Sequence, residues 1–169
     1  LGADGKTLAV GAHLDASIAT GANDPPLNVD RHYDLFASGA VHLFRHDGSS
    51  WSQESYIKSS DPAHEDAFGI ALALNANGNA LAVGAPGEDS FAKAIGGDQF
   101  DDSASSAGAA YVFRFGVSGW TQESYVKASN TDSGDRFGGS ISLNEGGIAL
   151  AVGASGEDSS ATGINADQT

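Results

Sequence analysis

The sequence lacks cysteine and methionine altogether and holds only eight lysine and arginine residues among its 169 residues. The absence of cysteine excludes disulfides, thiolate metal sites and a cysteine nucleophile. Because 22 aspartates and glutamates oppose those eight cations, the net charge of -14 argues against nucleic acid or an anionic membrane surface as partner. Without an initiator methionine, the chain is expected to be a processed or partial product.

Long apolar runs and helical periodicity are missing as well. No apolar run approaches the roughly 20 residues of a membrane-spanning helix, so we expect no membrane insertion. No segment keeps a helical apolar period over about eleven residues. Glycine, with 23 residues, is abundant instead, which indicates many turns and close packing of the backbone.

A tandem repeat of 69 residues organises the chain. Trp51 and Trp120 lie 69 residues apart in matching segments, and so do Asp66 and Asp135 in "DAFG" and "DRFG". The phrase "LAVGA" occurs three times, beginning at residues 8, 81 and 150. A period of this length is typical of a solenoid, a propeller or a repeat array.

The middle copy contains four short runs with the composition of strands, bounded by turn residues. The second and third runs are apolar on both faces, as expected between two packed sheets. The fourth carries Gln122, Glu123 and Lys127, which predicts an outer, half-solvated strand. Asn-Gly in residues 75–79 and the segment 115–119 predict hairpins. The four predicted strands are residues 68–74, 80–85, 108–115 and 120–128.

Four antiparallel strands in each tandem unit predict an all-β fold, a segment of a β-propeller. A β-sandwich built from the same hairpins is the alternative, although its strands would not normally recur with a strict period. About two and a half blades are expected. Residues 1–65 form strands two to four of one blade, residues 66–134 a complete blade, and residues 135–169 the first two strands of a third.

The pairing of Phe68-Gly69 with Gly84-Ala85-Pro86 resembles the FG-GAP repeat of integrin α-subunit propellers. The form W-x-Q-x-x-Y, followed by D-x-F-G and LAVGA-x-GEDS, is similar to tandem units of secreted or surface-attached bacterial proteins. The resemblance implies a ring of seven blades, completed by a longer polypeptide or by neighbouring copies. It also implies an extracellular or cell-surface location.

The resemblance places a calcium loop between the FG strand and the GAP strand, where this chain has residues 75–79. Asn75, Asn77 and Asn79 offer no carboxylate there, so a compact hairpin is the expected structure. Calcium prefers several oxygen ligands, carboxylates among them.

The long acidic loop after "LAVGA", residues 86–107, is the stronger candidate for a metal site, with Ca²⁺ as the expected cation. Its carboxylates could converge on a hard cation, and part of the set recurs in the third copy. The alternative is a solvated loop whose Asp and Ser side chains bond to its own turn amides. The candidate ligands are Asp89, Asp98, Asp101, Asp102, Asp158 and Asp167.

Other recurring residues are interpreted as architectural. Asp66 and Asp135 precede the FG pairs and are expected to cap the turn that enters the strand. Aromatic residues recur on the fourth strand and are expected to pack within or between blades, with a carbohydrate-stacking platform as the alternative. These aromatics are Trp51, Tyr56, Trp120 and Tyr125.

These features predict a non-catalytic extracellular scaffold for adhesion, with a protein or glycan ligand. No catalytic fingerprint of the P-loop, Rossmann, G-x-S-x-G or H-E-x-x-H type occurs. The acidic pair Glu88 and Asp89 resembles a glycosidase pair only in composition, because nothing places it across a cleft and its neighbours in sequence supply no apolar pocket that would tune a pKa. The alternative is a propeller enzyme, or an accessory domain of one, that acts on polysaccharide. The non-recurring cluster of His32, Tyr33 and Asp34 keeps that alternative open.

Overall fold

The computed structural model describes residues 1–22 and 35–164. These residues form nine antiparallel strands in three sheets of order β1-β2-β3, β4-β5-β6-β7 and β8-β9. We call these the first blade, the central blade and the third blade. The strands are β1 (Thr7–Ala12), β2 (Ala40–His46), β3 (Trp51–Ile57), β4 (Ala71–Leu74), β5 (Ala80–Ala85), β6 (Ala109–Gly116), β7 (Gly119–Val126), β8 (Phe137–Leu143) and β9 (Leu150–Ala154).

The central blade confirms the predicted four-stranded meander. The first strand is shorter than predicted, because it begins at Ala71 rather than at residue 68. Phe68 instead forms a parallel bridge with Gly39 of the first blade, and Gly69 follows with a φ of 93°, which favours glycine. The FG pair therefore joins two blades before the chain enters its own sheet.

Burial along the central blade follows the predicted pattern. Every residue of β5 is buried, as are the first five residues of β6, whereas β7 alternates between buried and solvated positions. The core contains Phe68, Tyr111, Phe113 and Trp120 together with Leu43 and Ile57 of the first blade. A single apolar core therefore spans the junction between the first two blades, because one sheet cannot bury both of its faces alone.

Glycine allows the blades to approach closely. A Cβ placed on Gly84 of β5 would collide with the carbonyl oxygen of Gly138 in the third blade. A Cβ on Gly11 of β1 would collide in the same way with the carbonyl oxygen of Gly69. The same steric requirement thus recurs at both junctions, which explains why "LAVGA" keeps its glycine.

The hairpins also fit the sequence. Asn75 closes the turn between β4 and β5, since its Oδ1 accepts hydrogen bonds from the amides of Asn79 and Ala80, both at 3.0 Å. Gly116 pairs with Gly119, which leaves a two-residue turn between β6 and β7. No helix in the described ranges is long and apolar enough to cross a membrane.

Candidate functional site

The acidic loop between β5 and β6, residues 86–107, is folded back on itself by Asp89. The backbone oxygen of Asp89 accepts a hydrogen bond from the Ala104 amide at 2.6 Å, and its Oδ1 accepts one from the Ser106 amide at 2.7 Å. Asp89 therefore ties the start of the loop to its end. This is the turn chemistry that the alternative interpretation of the loop expected.

Asp98 and Asp101 bond to the loop as well. The Phe100 amide donates to Asp98 Oδ1 at 3.0 Å. Asp101 Oδ2 accepts from the Phe91 amide at 2.7 Å and from the Ser103 hydroxyl at 2.9 Å. These donors, the Phe91 amide foremost, lower the pKa of Asp101, so its carboxylate stays ionised.

An acidic cluster forms where the loop meets the turn that leaves the first blade. Burial raises the pKa of Asp61, and the charges of Asp102 and Asp98 raise it further. Gln99 lies at the same junction, since its Oε1 accepts a hydrogen bond from Ser60 Oγ at 2.5 Å. We call Asp61, Asp98 and Asp102 the acidic cluster. The sequence analysis missed Asp61, because it belongs to the neighbouring unit.

The calcium prediction remains a prediction. The acidic cluster is an electrostatic grouping and is looser than a metal centre, because the structure of residues 1–22 and 35–164 contains no group of three or more histidine or acidic side chains that could hold a metal ion. Asp158 is exposed after β9, and Asp167 lies outside the described residues. The structure thus brings Asp98 and Asp102 near Asp61, while Asp89 and Asp101 are occupied by bonds within the loop.

A buried ion pair fastens the start of the loop to the end of the fourth strand, and the sequence analysis did not predict it. Lys127 Nζ lies 2.6 Å from Glu88 Oε2, with side-chain exposures of 0% and 5%, and the Tyr125 hydroxyl donates to Glu88 Oε1 at 2.5 Å. The fourth strand is half-solvated as predicted, but Lys127 does not lie on its solvated side, because its ammonium turns inward to this partner. The expectation for Glu88 was also wrong, since burial raises its pKa despite the opposing charge of Lys127.

The first blade repeats this arrangement with a shorter acid. Lys58 Nζ lies 3.4 Å from Asp15 Oδ1, and the Tyr56 hydroxyl donates to the same oxygen at 2.7 Å. Burial lowers the pKa of Lys58, whereas Asp15 opposes that shift. We call each of these groups an acid-lysine-tyrosine triad. Their recurrence at matching positions indicates an architectural role.

Asp66 confirms its predicted role as a turn cap. Its Oδ2 accepts a hydrogen bond from the Ala63 amide at 2.7 Å, and Asp135 does the same with the Asp132 amide at 2.8 Å. Asp66 is 1% exposed, and its Oδ1 has no hydrogen-bond partner among the residues that the structure describes. Burial, with the nearby charges of Glu88, Asp89 and Asp61, raises the pKa of Asp66 to about 7.

Three of the four recurring aromatics are buried as expected. Trp120 is 1% exposed, and its Nε1 donates to Glu54 Oε2 of the first blade at 3.1 Å. Tyr56 and Tyr125 are buried in the two triads. Trp51 differs from these three because it is 44% exposed. Among the four, Trp51 alone leaves its indole open to the carbohydrate stacking that was the alternative. His32, Tyr33 and Asp34 lie outside the described residues.

Comparison with known families agrees with this architecture. A model of the FG-GAP repeat matches residues 51–113 and 120–166, more than half of the chain. No curated protein matches the sequence. The two matched segments each begin at the tryptophan of a fourth strand and run through the next FG strand. Because the match covers more than half of the chain and includes residues from all four strands of the central blade, the chain belongs to the FG-GAP repeat family of β-propeller type.

Proposed function

We propose that this chain is part of an extracellular β-propeller, of seven blades in the complete ring, that binds a protein or glycan ligand without catalysis. The strongest support for this proposal comes from the polar residues that recur between the blades. The polar groups that recur between blades, the two triads and the turn caps Asp66 and Asp135, are held by partners within the fold. The loops are then the part of the molecule that is available for a ligand.

The loop of residues 86–107 combines acidic and apolar groups in the manner of a binding surface. Phe91, Ile95 and Phe100 are 47%, 71% and 67% exposed. Large exposed apolar groups beside charged groups are characteristic of interaction sites. The adjacent acidic cluster favours a ligand with basic groups, or a divalent cation that bridges the loop to an acidic ligand. Adhesion through this loop is the proposed activity, and secretion or surface attachment is the proposed location.

Calcium is the proposed cation, and thermal stability tests it. We expect calcium to raise the melting temperature of the chain above that in EDTA, because a cation bound to the folded state stabilises it by mass action. The variant Asp98→Asn/Asp102→Asn should lose this increase. The matched control is Asp132→Asn/Glu145→Gln, which removes two exposed charges outside the loop and should keep it. Equal melting temperatures of the unaltered chain in calcium and EDTA would show that the cation assignment is wrong.

Ligand binding is tested separately with panels of glycans and basic or acidic peptides. We expect retention without turnover, and weaker retention when Phe91 and Phe100 are both replaced by serine. The double variant Leu1→Ser/Val117→Ser is the control, because it removes two exposed apolar groups that lie outside the loop. Hydrolysis of a polysaccharide would overturn the non-catalytic proposal and favour the enzyme alternative.

A further inference from the structure

The two junctions between neighbouring blades share one backbone arrangement near the end of a long loop. At the first junction, the Ala67 amide donates to the carbonyl oxygen of Ala37 at 2.9 Å. One repeat later, the Arg136 amide donates to the carbonyl oxygen of Ser106 at 3.0 Å. All four residues have a left-handed backbone, with φ between 51° and 57°. The backbone of the junction therefore recurs with the repeat.

The side chains on this shared backbone do not recur. At the first junction, the rings of Phe36 and His64 lie 6.0 Å apart, and alanine occupies both left-handed positions. A left-handed backbone favours glycine, so it gives no reason for an arginine one repeat later. The counterparts at the second junction are all polar: Ser105, Ser106, Ser133 and Arg136.

The polar side chains of the second junction line a groove of about 480 Å³, which we call the serine groove. Within residues 1–22 and 35–164, the Arg136 guanidinium makes no hydrogen bond or ion pair, and the serine hydroxyls have no partner. Five polar side chains are thus available to a ligand. They are Ser105, Ser106, Ser133, Arg136 and Ser155.

The corresponding position at the first junction stays open to solvent although the blade that follows it has all four strands. Phe36 is 51% exposed there, and the His64 side chain is 50% exposed. The complete loop of residues 86–107 does not cover them. This part of a junction is therefore accessible beside a complete blade, as a binding site requires.

Acidic side chains near the serine groove limit the charge of a suitable ligand. Burial raises the pKa of Asp135, which precedes Arg136 in the sequence. The charges of Glu157, Asp132 and Asp158 raise this pKa further, so these acids lie close by. Because like charges repel, the surroundings disfavour a polyanion and favour a neutral, hydroxyl-rich molecule with one anionic group.

We propose that the serine groove binds a glycan through one uronic acid unit, whose carboxylate pairs with Arg136 and whose hydroxyls bond to the serines. A planar guanidinium can donate two parallel hydrogen bonds to a carboxylate. Serine hydroxyls donate and accept, which suits the hydroxyls of a sugar. The side chains of the groove are small or charged, so they favour this ligand over an apolar peptide. The inference rests on the proposed binding function and names the class of ligand.

Calorimetric titration of the unaltered chain with a tetrasaccharide that carries one terminal glucuronate tests the assignment. We expect saturable binding. Arg136→Gln should bind the tetrasaccharide at least about tenfold more weakly, as expected for the loss of hydrogen bonds to a charged group. The methyl ester of the tetrasaccharide, which lacks the charge, should bind the unaltered chain with a similar loss. Ser133→Ala/Ser155→Ala should weaken binding severalfold.

Three controls make the assignment specific. Lys6→Gln, which removes one exposed cation outside the groove, should bind the tetrasaccharide like the unaltered chain. Arg136→Gln should weaken binding of the methyl ester no further, because the two changes remove the same interaction. Phe91→Ser/Phe100→Ser should leave binding of this short sugar unchanged, since neither phenylalanine lines the groove.

Equal affinities of the acid and its methyl ester, or of Arg136→Gln and the unaltered chain, would overturn the inference. If a tetraglutamate peptide binds through Arg136 and the sugar does not, the groove takes peptide carboxylates and the glycan assignment is wrong. If the sugar fails to bind while other panel ligands are still retained, this inference alone is wrong. If the chain retains no ligand of the panel at all, the proposed binding function is wrong as well.

Discussion

At the scale of single residues, the acid-lysine-tyrosine triads connect two parts of each blade. Glu88 follows the second strand of the central blade, and Lys127 and Tyr125 end its fourth strand. The ion pair and the tyrosine hydrogen bond therefore fasten the outer strand to the start of the long loop. Asp15 and Lys58 do the same in the first blade. A buried charge needs such a partner, because burying it alone is costly.

Replacing Lys127 by methionine should destabilise the chain by about 3–5 kcal/mol, because Glu88 would be left as an unpaired buried charge. Urea unfolding measures this loss. The exposed Lys6 provides the control, and Lys6→Met should change the free energy of unfolding little. The double variant Glu88→Gln/Lys127→Met should recover part of the loss. Equal free energies of unfolding for Lys127→Met and Lys6→Met would mean that the ion pair contributes nothing to stability.

The titration of Asp66 should make the free energy of unfolding depend on pH. Its pKa rises from 3.8 to about 7 in the folded state, so the folded chain holds a proton that the unfolded chain has lost. The resulting stabilisation is complete below pH about 4 and disappears as the pH rises through about 7. Asp61, Glu88 and Asp89 add to the raised pKa, and the charge of Lys58 faces the same group.

The variant Asp66→Asn should therefore be more stable than the unaltered chain at pH 8, by at most about 4 kcal/mol, and nearly equal to it at pH 4. The asparagine keeps an oxygen that can accept the bond from the Ala63 amide. Thermal melts of both proteins between pH 4 and pH 8 measure the difference, with Glu145→Gln as the control. Parallel pH profiles for Asp66→Asn and the unaltered chain would contradict the raised pKa.

At the scale of strands and loops, the features that depend only on residues close together in the sequence could be predicted from it. The apolar run of β5 and the two-residue turn after Gly116 follow from composition and turn chemistry. The repeat supported each strand prediction twice, since each strand of the central blade has a counterpart in another copy. Even the register shift between Val112 and Phe113 has a counterpart in the first blade, between Leu43 and Phe44.

The parts that depend on contacts between units were not predicted. Lys127 in an alternating strand resembles a solvated residue, and only the folded chain places Glu88 beneath it. Asp61 and Asp102 are far apart in sequence and couple through space. The late start of β4 has the same origin, because Phe68 pairs with Gly39 of the preceding blade.

The close approach of β5 to the third blade gives a prediction at this scale. Replacing Gly84 by alanine should lower the free energy of unfolding by about 1–3 kcal/mol. The added methyl group would collide with the Gly138 carbonyl oxygen and overpack the junction. The control is Gly116→Ala in the neighbouring strand β6, where an added Cβ meets no atom within 4 Å. Chemical denaturation of both variants tests this, and equal stabilities would argue against the tight junction.

At the scale of the whole molecule, residues at matching positions of the repeat differ in exposure, because the blades beside them differ. Trp51 and Trp120 begin the fourth strands of successive blades, but they are 44% and 1% exposed. The difference arises because the first blade covers Trp120 and supplies Glu54 to its indole. In a stack of independent blades, which is the alternative to a shared core, the two indoles would be equally solvated.

The emission and acrylamide quenching of Trp51→Phe, which keeps Trp120 as the one tryptophan of the sequence, test this account most directly. The change is mild because Trp51 is half exposed. The account predicts a blue-shifted emission that acrylamide quenches weakly, and a red shift on Glu54→Gln or on unfolding in urea. A solvent-exposed spectrum with strong quenching in the folded Trp51→Phe variant would contradict the packing of blade on blade.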